Sequence, residues 1–280
     1  MMTTMSEPKK ISASKVIYEP KGKAFEYAPL ACNLYTGCSH GCTYCYAPGA
    51  LRMKVDAFHA NVKPRPDILE RLDRDAAALA DAGDEREILL SLSCDPFPDP
   101  KVVEGTGITM RALEILEKHG RKVAILTKGG LMRCNQFFPI ILRNEWRFGV
   151  SLVWRSPSMA SFWEPHAPPP GDRTMALQYA WSQGIKTWVS VEPVIDPVEA
   201  LLAIKSVKRY AGKIMIGKIN HDSKLGRKVD WAEFVDDARA LLLEEPKHND
   251  FTFKVGTLAA AKTEAERKKK GGEPCADSNN

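Results

Sequence analysis

Five near-continuous apolar runs, EILLSLS (87–93), KVAILT (122–127), FGVSLVW (148–154), KTWVSVEPV (186–194) and KIMIGKIN (213–220), constrain the fold more than anything else in this sequence. They are rich in Ile, Leu and Val and do not alternate cleanly between apolar and polar residues. That is the pattern of strands buried on both faces of a parallel sheet. Segments with helical spacing lie between them, at about 66–82, 106–119, 131–143, 173–183, 196–209 and 230–245. A further strand is expected near 25–35. Strand–helix alternation of this length builds right-handed βαβ units around a parallel sheet. About six units suit an α/β fold of partial (β/α)6 barrel type, with parallel strands inside and helices outside, and fall short of the eight of a closed barrel.

At 280 residues and 44% hydrophobic composition, the chain can bury one such core. The expected organisation is an N-terminal extension over 1–23, a partial-barrel domain over 24–250, and a C-terminal segment over 251–280. The last is polar and lysine-rich, and is expected to end in a disordered tail containing an incidental Cys275.

In parallel α/β folds, functional groups collect at the C-terminal ends of the strands. The first strand runs into a cysteine-rich loop, and the second ends at Ser93, Cys94 and Asp95. The third ends at Thr127 and Lys128, the fourth carries Ser151, the fifth Glu192, and the sixth ends at Lys218, Asn220 and His221. Any one of these reads as the start of a solvated loop. Six polar strand ends on one rim point to a shared site.

The loop is GCSHGCTYCYAPG (37–49), with Cys38, Cys42 and Cys45 in a C-x3-C-x2-C spacing. No apolar run approaches the ~20 residues needed to span a membrane, and the N-terminus lacks the apolar core of a secretory signal. The expected location is therefore the cytoplasm, away from membranes. In a reducing compartment, clustered cysteines read as metal ligands or catalytic groups. A structural zinc site needs four ligands, and Cys32 or His40 is available as the fourth. An iron–sulfur cluster held by only three thiolates leaves one iron open to a small molecule. The formal net charge of +5 tolerates a nucleic-acid partner without demanding one.

C-x3-C-x2-C after a first strand, with Tyr44 just before the last cysteine, resembles the radical SAM superfamily. The stretch CNLYTGCSHGCTYCYAPG is similar to the cysteine loop of its spore photoproduct lyase-like branch. The likeness continues through SCDPFPD, LTKGG, RFGVSLVW and FWEPHAPPPGDRTMALQYAWSQGI, over roughly residues 28 to 222. SVEPVID and IGKINH look like a subgroup of that branch.

The resemblance implies that Cys38, Cys42 and Cys45 hold a [4Fe–4S] cluster whose open iron takes S-adenosylmethionine (SAM). It places Tyr44 near the adenine, Lys128 and Ser151 at the methionine end, and Asp95 at the amino group or ribose. Glu164 and Arg173 would form an ion pair shaping the SAM pocket, and Glu192 and Asn220 complete the cofactor-binding set. Cys94 is the expected catalytic hydrogen donor. The implied chemistry is reductive cleavage of SAM and hydrogen abstraction from substrate. The activity would be a lyase or modifying one on DNA or RNA, with a peptide, protein or small metabolite as the alternative. The implied partner is an electron donor such as flavodoxin or ferredoxin. A cluster-binding module without turnover is the non-enzymatic alternative.

Overall fold

The apolar runs form the centre of one sheet. The computed structural model describes residues 14–101, 107–220, 223–226, 228–244 and 250–269. The expectations for residues 1–13, His221 and the tail from 270, with Cys275, lie outside the described residues. The strands are β1 (Ile17–Tyr18), β2 (Leu30–Cys32), β3 (Tyr35–Thr36), β4 (Lys63–Pro64), β5 (Ile88–Leu90), β6 (Val123–Thr127), β7 (Arg147–Ser151), β8 (Lys186–Val194), β9 (Lys213–Lys218) and β10 (Asp250–Phe253). The main sheet has the order β1-β2-β5-β6-β7-β8-β9-β10. From β2 to β10 every neighbouring pair is parallel, and β1 alone is antiparallel to its neighbour β2. Strands β3 and β4 form a separate antiparallel ribbon.

This is the expected α/β partial barrel, with two additions among the described residues. The short strand β1 caps one edge of the sheet. Strand β10 extends the other and lies across the boundary expected at 250/251. The helix Val255–Lys269 follows it, and its Glu264 carboxylate accepts the Trp231 backbone N–H at 2.6 Å. No helix among the described residues is long and apolar enough to cross a membrane.

Strand side chains alternate between the two faces of the sheet. Leu30, Ile88, Ile125, Val150, Val189 and Ile214 face outward and join the large core shared with the helices. Ala31, Leu89, Ala124, Trp188 and Met215 form a second, smaller cluster on the inner face. Trp188 is the large member, and its indole N–H donates to the Ile125 carbonyl at 3.0 Å. Gly149 is its register partner on β7. A Cβ on Gly149 would run into the Trp188 ring, so glycine is what lets the tryptophan fill the barrel floor. The next inward layer is polar and includes Ser151 and Ser190, so the chemistry sits above a plugged floor.

Cys32 lies on the outer face, fully buried in the helix-facing core. The expected helix at 131–143 is two helices, Leu131–Cys134 and Phe138–Arg143, joined by a single 3-10 turn. Pro139, at the start of the second, has no N–H to continue the first.

Candidate cofactor site

The cysteine loop leaves β3 through Gly37, whose φ of 85° is a left-handed conformation that glycine adopts without strain. A side chain there would lie 2.6 Å from the Phe58 carbonyl and 2.7 Å from that of Asn61. The loop is pinned on both sides. The Cys38 N–H donates to the Phe58 carbonyl at 3.3 Å, and the Thr43 N–H donates to the Trp163 carbonyl at 2.9 Å. The Cys45 N–H closes a turn onto the Cys42 carbonyl at 3.1 Å.

Cys38, Cys42 and Cys45 are free thiols. Burial pushes all three upward, Cys42 to about 12, and the Asp95 carboxylate adds to the effect on Cys38. Without a metal they are protonated at neutral pH, so metal loading must release their protons. Among the described residues, no three His, Cys, Asp or Glu side chains are close enough to hold one metal ion together. A [4Fe–4S] cubane places each thiolate on a different iron, and three free thiols on one short loop fit that donor set. His40 is not gathered with them. Its ring lies 3.6 Å from Asp95 Oδ2 and 3.4 Å from an Arg133 nitrogen, and burial lowers it to about 4.

Beneath the loop, Glu164 is completely buried and serves two cations. Arg173 Nη2 lies 2.5 Å from Glu164 Oε2, and Lys128 Nζ lies 3.9 Å from Oε1. The Tyr44 hydroxyl donates to the same Oε1. Burial pushes the Glu164 carboxyl upward, but Arg173 and Lys128 outweigh it and hold the group below its usual value. Arg173 also donates to the Pro168 carbonyl at 2.7 Å and the Ser151 carbonyl at 3.2 Å, which ties β7 to this pair.

One carboxylate between two cations leaves one positive charge over. Lys128 carries it towards the thiols, with its ammonium 5.6 Å from the Tyr44 ring centre. Burial works against the ammonium, but Cys42 and Glu164 outweigh it and raise Lys128 above its ordinary value.

Asp95 is engaged by protein donors. Its Oδ1 accepts from the Phe97 N–H at 2.9 Å and the Thr127 hydroxyl at 2.7 Å, and its Oδ2 accepts from the Lys128 N–H at 2.8 Å. The carboxylate therefore joins the end of β6 to the segment after β5 and sets the backbone from which Lys128 projects.

Cys94 turns towards β2, with its sulfur 3.9 Å from Asn33 Oδ1 and its thiol raised to about 11, chiefly by burial. Trp154 stacks on Trp163 at 5.6 Å, next to Tyr44.

Glu192 and Asn220 belong to a second group. The Glu192 carboxylate receives the Tyr27 hydroxyl, Lys254 Nζ at 3.0 Å and Asn220 Nδ2 at 3.1 Å. Asn220 Oδ1 accepts from Lys23 Nζ at 2.5 Å, and Ser190 Oγ lies 2.8 Å from the Tyr27 hydroxyl. Sequence reasoning missed Tyr27, Lys23 and Lys254, because nothing in one sequence brings the two ends of a chain onto one carboxylate.

Residues 32–152 match the radical SAM superfamily. Spore photoproduct lyase complexed with dinucleoside spore photoproduct superposes with a TM-score of 0.65 at 16% identity, over 87% of this chain and 81% of that one. SuiB of Streptococcus suis bound to S-adenosylmethionine gives 0.59 at 12% identity, over 80% of this chain and 49% of its own. This chain thus spans about half the length of SuiB. A radical SAM methyltransferase from Sphaerobacter thermophilus gives 0.53 at 16% identity, over 83% and 68% of the two chains. No curated protein sequence matches the chain. Identities this low speak for the fold alone. The chain carries a radical SAM domain over residues 32–152, and the cofactors of that superfamily are a [4Fe–4S] cluster and S-adenosylmethionine.

Proposed function

We propose that this protein is a radical SAM enzyme that acts on nucleic acid, in a repair or modifying reaction. The observation that carries the reading is one arrangement. Three free thiols on the loop after β3 lie beside a buried network whose unmatched positive charge, on Lys128, faces them. When bound, the cluster and SAM supply an electron and a sulfonium whose cleavage gives a 5′-deoxyadenosyl radical able to abstract hydrogen.

The chain's own residues hold and orient. Cys38, Cys42 and Cys45 are the cluster ligands, and two of the three keep partial exposure towards the rim. Lys128 and Ser151 receive the carboxylate of the methionine moiety, where an ammonium in a largely desolvated cleft makes a charge-assisted hydrogen bond. Asp95 acts as a positioning residue, through the Lys128 backbone. Glu164 and Arg173 brace Tyr44 and the floor of the pocket. Cys94, a half-buried thiol, is the hydrogen donor to the substrate radical. The basic net charge and the motif likeness to the spore photoproduct lyase-like branch support the nucleic-acid substrate. A low-potential carrier such as flavodoxin or ferredoxin supplies the electron, in the cytoplasm.

Dithionite-reduced, iron-loaded protein is expected to convert SAM to 5′-deoxyadenosine and methionine, read by chromatography. Lys128→Ala should weaken SAM binding about ten- to hundredfold, the worth of one hydrogen bond to a charged group, while iron content stays at the wild-type level. Intact SAM after prolonged reduction would overturn the enzymatic reading. Normal SAM affinity in the variant would move the carboxylate away from Lys128.

Cys32→Ala tests the open coordination position. The side chain faces the helix layer, on the opposite side of β2 from the lumen. Iron and sulfide per chain are therefore expected to be unchanged in this variant. Loss of iron would make Cys32 a fourth ligand and close the site.

A further inference from the structure

The group around Glu192 leaves positive charge unmatched. Lys254 is matched by Glu192 at 3.0 Å, and Glu26 accepts the Val255 N–H at 2.9 Å. Among the described residues, neither Lys23 nor Lys218 has a carboxylate partner. The two converge on one spot. A Cβ built on Gly256 would lie 3.1 Å from Lys23 Nζ and 3.9 Å from Lys218 Cε. Both approach a point on the backbone that carries no side chain, at the end of β9 and beside the mouth of the barrel.

Lys23 lies in the turn Gly22–Glu26, which also carries Phe25, a ring that is 55% exposed. Two residues further on, Tyr27 joins the lumen group through Ser190 and Glu192. An exposed aromatic between a rim lysine and a lumen tyrosine provides a stacking face next to a charge. Among the described residues no arginine belongs to this group, so two ammonium groups serve as point charges in place of the planar, two-pronged grip suited to a carboxylate. Point charges suit a phosphodiester, and an exposed ring suits an unstacked base.

We propose that Lys23 and Lys218 bind a backbone phosphate of single-stranded nucleic acid at the mouth of the barrel, with a neighbouring base stacked on Phe25. The proposal rests on the nucleic-acid reading above and gives it a place on the protein. Lys23 exchanges its bond to Asn220 for the phosphate, and Lys218 approaches from the end of β9.

The test uses the full, iron-loaded chain under anaerobic conditions. The probe is a fluorescein-labelled ten-residue thymidine oligonucleotide, and anisotropy is read across a salt series. Lys23→Ala/Lys218→Ala should lose about tenfold in affinity, with the slope of log affinity against log salt falling by about 0.7, the value for one phosphate contact on a single strand. Phe25→Ala should lose roughly five- to hundredfold, the range for one base stacked on an aromatic ring. A control of equal charge, Lys122→Ala/Lys205→Ala, removes two exposed lysines from the floor side and the outer helices and should keep both affinity and slope. Equal losses in the control and the double variant would overturn the proposal, as would a slope that does not change. Binding of an acidic peptide with the same dependence on the two lysines would overturn it in favour of a peptide substrate. SAM cleavage is measured on the same preparations without oligonucleotide, so a failed enzymatic reading is seen separately from a failed subsite.

Discussion

Cys42→Ala is expected to lower iron from about four per chain to essentially none, along with the visible absorbance of the cluster and all SAM cleavage. Cys42 is the most buried of the three loop thiols, at 8% exposure. Its replacement would leave an iron without a ligand in a place that water reaches poorly. Among the described residues, the other cysteines cannot substitute. Cys32 and Cys134 are fully buried in the helix-facing core, and Cys94 turns towards Asn33. The loop itself should survive, because the backbone bonds from Thr43 and Cys45 do not use the thiol. Circular dichroism should therefore stay close to wild type while iron and sulfide assays fall to background. Wild-type iron in Cys42→Ala would remove this residue from the ligand set, and stoichiometric zinc in the wild-type protein would remove the cluster altogether.

Arg173→Met should produce the largest loss of stability of any single change in the site. Arg173 and Glu164 are 1% and 0% exposed. Removing the guanidinium leaves a buried carboxylate facing only Lys128, at 3.9 Å, and the Tyr44 hydroxyl. Breaking a buried pair in this way costs about 3–5 kcal/mol, or roughly 6–20 °C in Tm for a chain of this size. The Pro168 and Ser151 carbonyls also lose their donor. The double variant Glu164→Gln/Arg173→Met removes the stranded charge and should regain part of the loss, as read by thermal melting. A Tm within 2 °C of wild type, about what ~1 kcal/mol gives, for Arg173→Met would mean that water reaches Glu164 and that the pair braces little.

The central strands were legible because burial on both faces removes polar residues from a run, whatever the run is connected to. KTWVSVEPV became β8 over its whole length. β10 was not legible, because DFTF is short and alternates, and it becomes a strand only by pairing with β9. The stretch near 25–35 divides into a 3-10 turn, β2 and β3, because Pro29 separates the turn from β2 and Asn33 and Leu34 separate β2 from β3. The polar strand ends were legible as residue types. What each one does was less so. Asp95 looks like a ligand-binding carboxylate until its three protein donors are counted. Glu164 and Arg173 meet because the segment after β7 folds back under the cysteine loop, and their sequence spacing hints at that pairing.

The contacts around Glu192 also bear on the order in which this protein comes together as it is made. Tyr27 reaches Glu192 across 165 positions, and Glu26 reaches Val255 across 229. On the ribosome, the early strands and their helices can assemble while the chain is still growing, but this wall of the barrel cannot close until residues 254 and 255 have emerged. Long closures of this kind are slow steps in folding. The cysteine loop, complete by residue 45 and braced by residues up to 173, is therefore in place well before the opposite wall.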